Sequence, residues 1–258
     1  MAHPDDESLG VGGSLAKYSR EGIGTYLLTA TRGERGRFGD AAESPGLEIV
    51  GRTREAELRA AAAVLGVREV SLLGYVDGAL DRAEPGEAVS RIARHIRRIR
   101  PQVVLTFGPE GGYGHPDHVA ICQFTTAAVV RAADASAPGP GLAPHAVSKL
   151  YYMESSRESW DIYQRVFKKL VSFVDGRERE AAPWPEWAIT TSVDASEHWR
   201  VVWDAVQCHR TQLTIYSRLG ELSEADHARV WGRQQFYRAF SLVNGGRARE
   251  SDLFEGLR

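Results

Sequence analysis

Cysteine is nearly missing: two occur in 258 residues. Cys122 and Cys208 show no paired ligand spacing, which argues against a disulfide framework, and both are read as buried thiols of a reducing compartment. Long apolar runs are missing as well. None approaches the ~18 residues of a membrane span, and the N-terminus lacks the charged and apolar regions of a signal peptide. The expectation is a cytoplasmic chain with no membrane partner. Charge of one sign is also lacking, since 32 Lys and Arg against 34 Asp and Glu leave a formal net charge of -2. That balance gives no broad electrostatic grip on nucleic acid or on an anionic lipid surface. The partner class that remains is a small molecule, neutral or locally charged.

What the chain does have is alternation, and its 43% hydrophobic content suffices for a sizeable core. The spacing predicts a helix at 12–20, a β-prone run at 24–30, a helix at 53–65 ended by Gly66, and a strand at 70–73. An amphipathic helix at 87–100 stopped by Pro101, a buried strand at 103–107 and a helix at 116–132 follow. Past a Pro/Gly/Ala-rich loop at 136–144, strands are expected at 149–153 and 188–193, and long helices at 196–216 and 224–237. This order implies an α/β fold, a Rossmann-like three-layer sandwich with a mostly parallel sheet and a helical C-terminal extension. One domain over 1–258 is the simplest division, with a core of about 1–195 and a C-terminal helical part of about 196–258. Residues 181–187, with Trp184 and Trp187 between prolines, read as a loop. It lies either at a substrate mouth or interface, or packs its indoles on the core.

Two histidine-aspartate clusters carry the chemistry, Ala2-His3-Pro4-Asp5-Asp6-Glu7 and Gly114-His115-Pro116-Asp117-His118. In open α/β sheets ligands collect where strands run into helices. The second cluster follows the strand 103–107 through a loop containing Gly108, Gly111, Gly112 and Gly114, and the first precedes the first helix. Each cluster offers two metal ligands three residues apart with an ionisable group beside them, the inventory of a hydrolytic zinc site. The proline after each leading histidine holds that residue extended, so that the side chains at i and i+3 converge. Facial ligation by His3, Asp6 and His118 leaves positions open for water and substrate, and iron(II) suits the same ligands. A lone histidine-aspartate pair is more often a cap or a salt bridge; two such clusters at strand ends favour a metal.

AHPDDE followed downstream by GGYGHPDH resembles the LmbE-like (PIG-L) zinc de-N-acetylases. Thr31-Arg32-Gly33-Glu34, Arg54 with Glu57, Leu65-Gly66-Val67 and His209-Arg210-Thr211-Gln212 are similar to that family's other signposts, so the resemblance extends to about residue 215. It implies zinc held by His3, Asp6 and His118, with Asp5 as general base toward the metal-activated water. The implied reaction removes an N-acetyl group from an N-acetylglucosamine-type sugar or glycoconjugate, with a small-molecule amino sugar as substrate. A homo-oligomer is compatible with it. Elementary chemistry supports these roles: zinc lowers the pKa of its water from ~16 to about 7, so Asp5 need accept only a loosened proton. A protonated His115, oriented by Asp117, would stabilise the oxyanion, and His115 or Asp5 would protonate the departing amine. Tyr113 either adds a hydroxyl donor or packs its loop.

Other assignments stay open at this level. Arg54 either binds a substrate hydroxyl, phosphate or carboxylate, or is a solvated partner of Glu55 or Glu57. Arg32, Arg35 and Arg37 divide in the same way, and Glu34 is a candidate acceptor for sugar hydroxyls. His209 is read as structural or as support for the site. Loops 36–46 and 181–187 are expected to set specificity. Within the same chemistry the alternative is an amidase on a larger thiol conjugate. From a different class, Gly10-Val11-Gly12-Gly13 before a helix, with Glu34 beyond, suggests a non-catalytic sugar- or nucleotide-binding Rossmann-like protein. That match fails because Leu15 stands at the third glycine and no apolar strand precedes the loop. The resemblance also implies a strand directly before AHPDDE, where only Met1 stands, and this is read as a late start of the chain.

Overall fold

The computed structural model describes residues 1–137, 141–155, 157–166, 171–180, 182–246 and 248–258. The first helix, α1 (Asp6–Arg20), begins six residues ahead of the predicted start, directly inside the first cluster. β1 (Tyr26–Thr31) and β2 (Glu69–Tyr75) pair in parallel across α2 (Leu47–Val64). Met1 and Ala2 run beside β1, their carbonyls accepting from Ala30 N and Thr31 N at 2.9 and 3.0 Å. α3 (Pro85–Ile99) starts with proline at its first turn, where no amide is needed, and with Glu84 accepting from Gly86 N and Glu87 N. It leads into β3 (Val103–Phe107), a short distorted turn α4 (Gly111–Gly114) and α5 (Pro116–Ala133).

Beyond β4 (Lys149–Glu154) come α6 (Arg157–Val166), the hairpin β5 (Val171–Val174) and β6 (Arg177–Glu180), and β7 (Thr191–Asp194). Part of the 181–187 loop falls on Ala181, outside the described residues. The C-terminal part is helical through α7 (Trp199–Cys208), α8 (Leu213–Tyr216) and α9 (Glu224–Gly232), and returns to the sheet as β8 (Arg233–Ser241).

The larger sheet has the order β3-β4-β8-β7, with β3 and β4 parallel but β8 antiparallel to both of its neighbours. It is therefore mixed, which corrects the expectation of a mostly parallel sheet. The cause is residues 233–241, whose first part reads as the end of a helix over 224–237. Phe236, Tyr237 and Phe240 suit a strand once a ladder is available on either side, and a periodicity confined to one segment does not reveal those partners. The predicted helix over 196–216 is likewise broken, because the chain turns at His209 into a short 3-10 segment at Arg210–Gln212. Cys122 is a buried free thiol as expected, whereas Cys208 is only half-buried.

Successive residues of β4 face opposite layers. Leu150 joins a core with Ile92 and Ile96 of α3, Ile121, Phe124 and Val129 of α5, and Phe107. Tyr151 joins another with Val11 and Leu15 of α1, Val202 and Val206 of α7, Trp231 of α9 and Phe236. Helices thus cover both faces, the three-layer arrangement expected. Each fully buried Leu, Val or Phe contributes ~1.5–3 kcal/mol to holding those layers. Both clusters end up at the same rim, the second at the C-terminal end of β3 and the first at the start of α1.

Candidate active site

His3 Nδ1 lies 3.2 Å from His118 Nε2. The Asp6 carboxylate closes the triangle, with Oδ2 3.8 Å from His3 Nδ1 and Oδ1 3.5 Å from His118 Nε2. Donors held at about 2.1 Å from one centre stand ~3.0–3.4 Å apart. The two Asp6 edges are made by different oxygens, so the carboxylate must turn as well as close by a few tenths of an ångström for these side chains to meet at one divalent cation. The nitrogen and carboxylate donors also suit zinc or iron(II). All three side chains are buried, and each is held from behind. Asp6 Oδ2 accepts from the amides of Ala2 and His3 at 3.0 and 2.8 Å, leaving Oδ1 toward His118. His118 Nδ1 faces the Gly111 carbonyl at 3.2 Å, which makes that nitrogen the donor and Nε2 the lone pair. Phe107 stacks on the same ring with centroids 3.9 Å apart.

His3 Nε2 faces Asp117 Oδ2 at 3.1 Å and Asp77 Oδ1 at 3.2 Å. Two acceptors there fix the tautomer whose Nδ1 lone pair points at Asp6 and His118. Burial opposes a charge on His3, but the hydrogen bonds to Asp117 and Asp77 outweigh it and push the ring up to about 10, so without a metal Nδ1 carries a proton, which a bound cation would displace to use the lone pair there. His118 goes the other way: burial, with His3 and His115 alongside, holds it well below its ordinary value and neutral. Burial also lifts Asp6 to about 6 against the pull of His3. Ligand atoms of His3, Asp77 and Asp117 lie within 4.8 Å of one another, as do those of His3, His115 and His118. The first group is already satisfied, since Asp117 accepts from Gly78 N and Leu80 N and Asp77 from Arg35 N. Through Asp117 and Asp77 it orients the His3 ring.

Asp117 therefore faces His3, where the sequence suggested it would orient His115. His115 Nδ1 accepts the Asp117 amide at 3.2 Å, which leaves the proton of the neutral ring on Nε2. Burial, then His3, lowers the His115 pKa in spite of Asp117 nearby. The expectation of a protonated His115 is corrected accordingly. Tyr113 lies edge-on to His115 and His118, with centroids 5.9 and 5.4 Å away.

Asp5 sits at φ 107°, a strained conformation for a residue with a side chain. Its carboxylate makes no helix cap. Instead Oδ2 accepts from Arg54 Nη2 at 3.0 Å and from the Tyr216 hydroxyl at 2.6 Å, and Oδ1 has no hydrogen-bond partner among the described residues. Arg54 is buried, not solvated, and also donates to Gly33 O and Pro4 O at 2.7 and 2.6 Å. Gly33 is required there, because a Cβ would stand 2.2 Å from Arg54 Nη1 at φ 62°. Glu55 pairs with Arg32 and Arg59, and Glu57 accepts from Thr211 N and Oγ1. Glu34 turns its Oε1 to the Asp77 amide at 3.0 Å, supporting the Asp77 loop.

Glu7 and His209, both fully buried, form a pair at 2.8 Å, and Glu7 Oε2 accepts the Asp5 amide at 3.0 Å. His209-Arg210-Thr211-Gln212 thus ties down the first cluster through Glu7 and the Arg54 helix through Glu57. Sequence reasoning missed Asp77 and Tyr216. A lone aspartate after β2 and a tyrosine 211 residues from Asp5 carry no local signal. His3, Asp6 and His118, with Asp5, Arg54, Asp77, Tyr113 and His115, all line one cavity of about 620 Å3.

The PIG-L family model, described as GlcNAc-PI de-N-acetylase, matches residues 1–129. A 1D-myo-inositol 2-acetamido-2-deoxy-α-D-glucopyranoside deacetylase of Nocardiopsis dassonvillei is 35% identical over 99% of this chain and 99% of its own. Among solved structures, N,N'-diacetylchitobiose deacetylase from Pyrococcus horikoshii superposes with TM-score 0.68 at 20% identity, covering 92% of this chain and 80% of that one. The 4-carboxy-2-hydroxymuconate hydratase GalB of Pseudomonas putida superposes with TM-score 0.70, also at 20% identity, over 96% and 97% of the two chains. The last two likenesses show the fold alone, and their unlike chemistries keep function a matter of the site. The family match and the 35% identity across nearly the whole chain establish that this protein belongs to the PIG-L (LmbE-like) family.

Proposed function

We propose that this protein is a metal-dependent N-deacetylase acting on an N-acetylglucosamine-type glycoside, with an inositol conjugate as the substrate suggested by its relatives. The observation that carries the reading is the convergence of His3 Nδ1, the Asp6 carboxylate and His118 Nε2 beside Asp5 in one cavity. Zinc, when bound by these three side chains, supplies positive charge that loosens a proton of water and polarises the acetamide carbonyl.

The chain's own residues do the rest. Asp5, held through Oδ2 by Arg54 and Tyr216, takes a proton on Oδ1 as water adds to the carbonyl carbon. Neutral His115 donates its Nε2 proton in a hydrogen bond to the developing oxyanion, and the Tyr113 hydroxyl is a second donor. Asp5 then returns its proton to the amine nitrogen as the C–N bond breaks, leaving acetate and a free amine. Asp77 and Asp117 keep the His3 ring in its working tautomer. The test is acetate release from N-acetylglucosaminyl-inositol and a panel of N-acetylglucosaminyl compounds, with and without chelator. Release abolished by chelator and restored by zinc is expected; no acetate from any of them refutes the reading.

A further inference from the structure

The cavity has a second polar wall that the deacetylation chemistry does not use. Glu110 follows β3, Glu154 ends β4, and Gln235 of β8 stands directly opposite Glu154 in the antiparallel register, which puts those two side chains on one face. All three line the cavity that holds His3, Asp6 and His118. Glu110 and Glu154 converge over the buried Gly108. A Cβ there would lie 2.1 Å from Glu154 Oε1 and 2.7 Å from Glu110 Oε2, so a larger residue would push the carboxyls aside. Two carboxylates this close do not both ionise. Burial, and then Glu110, push Glu154 up to about 10, so the Glu154 carboxyl keeps its proton at neutral pH. Glu110 Oε1 also accepts from Trp184 Nε1 at 3.1 Å, and that indole packs on Tyr237 with centroids 5.3 Å apart.

Gln235 supplies the independent observation. It is 3% exposed, yet among the described residues neither its Nε2 nor its Oε1 has a hydrogen-bond partner. Its neighbour Gln234, by contrast, spends its Oε1 on Ser14 N. A buried amide left unmatched is destabilising, and folding alone gives no reason to retain it.

We propose that Glu110, Glu154 and Gln235 form a subsite for the hydroxyl groups of a neutral polyol or sugar attached to the N-acetylated ring. The inference rests on the deacetylase reading and deepens it. Each hydroxyl both donates and accepts, and the wall offers a matching set: amide N–H and C=O, one carboxyl O–H, and carboxylate oxygens. An anionic attachment such as phosphate would meet the carboxylate charge and is disfavoured.

The test compares kcat/KM for N-acetylglucosamine, N-acetylglucosaminyl-inositol and N-acetylglucosamine 1-phosphate in the wild type, Gln235→Met and Glu110→Gln. Ratios between substrates do not depend on the folded fraction, so a poorly folding variant still reports. The wild type is expected to prefer the inositol glycoside over the 1-phosphate by at least about tenfold, and each variant to lower the glycoside-to-monosaccharide ratio by about tenfold, the worth of one good hydrogen bond. Unchanged ratios in both variants, or a preference for the phosphate, overturn the subsite. Calorimetric titration of the amine product, glucosaminyl-inositol, against glucosamine reads the same discrimination without turnover. A wild type that turns over nothing but binds glucosaminyl-inositol about tenfold better than Gln235→Met does refutes the deacetylase reading and keeps the subsite. Equal binding by both proteins refutes the subsite.

Discussion

The Tyr216 hydroxyl donates to Asp5 Oδ2 at 2.6 Å from a position 211 residues away in the chain. Arg54 shares that oxygen, so one oxygen of Asp5 is held from two directions while the other is left to exchange protons. Burial and the Asp5 carboxylate raise the Tyr216 pKa well above its ordinary value, which keeps the hydroxyl a donor at every working pH. Tyr216→Phe is expected to lower kcat about 10- to 100-fold, the worth of a hydrogen bond to a charged group, while bound metal measured by mass spectrometry stays at one equivalent. Unaltered kcat would remove Tyr216 from the account.

Arg54 is expected to matter for folding as much as for turnover. Arg54→Met leaves the Asp5 carboxylate without its buried partner and frees the Gly33 and Pro4 carbonyls. A loss of about 3–5 kcal/mol in urea unfolding is expected, together with loss of activity. Wild-type stability in that variant would show Arg54 to be a dispensable pocket residue.

Asp77 and Asp117 act through His3. Asp77→Asn and Asp117→Asn are each expected to weaken zinc binding about 10- to 100-fold in a competitive chelator titration, since a ligand histidine loses one of its orienting carboxylates. Zinc affinity equal to wild type in both variants would contradict the assignment of His3 as a ligand through Nδ1.

The convergence of His3, Asp6 and His118 was legible because they lie in two short motifs whose spacing and proline restrict how they can face. The place of Asp5 on the same cavity was legible for the same reason. Asp77 and Tyr216 were not, because each reaches the site only after the strands and helices have packed, and neither carries a pattern of its own. The reading of His115 failed for a related cause: proximity in sequence put Asp117 next to it, whereas the backbone turns the carboxylate toward His3 and leaves only the amide for His115. β8 was misread because its strand character depends on β4 and β7 on either side. The α/β layering was legible because α3, β3 and α5 each announce themselves by local periodicity and stops.

The far end of the sheet supplies a pH-dependent stability test away from the site. Glu250 is buried and takes Lys149 Nζ at 2.6 Å, Arg238 Nη1 at 2.8 Å, and the hydroxyls of Tyr151 and Thr191, both at 2.7 Å. Burial opposes its charge, but Asn244 and these donors outweigh it and hold the carboxyl at about 2, below its ordinary 4.5. A lowered acid stabilises the fold above its unfolded pKa and loses that contribution as pH falls through the folded one. Glu250→Gln is therefore expected to unfold about 3 kcal/mol more easily at pH 7, with the deficit shrinking at pH 3. A deficit that is constant with pH would mean that the charge is not what Glu250 contributes.

The most direct test of the account is one experiment on Asp5→Asn: zinc content and acetate release from N-acetylglucosaminyl-inositol, measured side by side with the wild type. One zinc per chain is expected in both proteins, with a loss of at least about a thousandfold in release by the variant, because the ligands are intact and only the proton acceptor is gone. Acetate release at the wild-type rate by the zinc-loaded variant would contradict it.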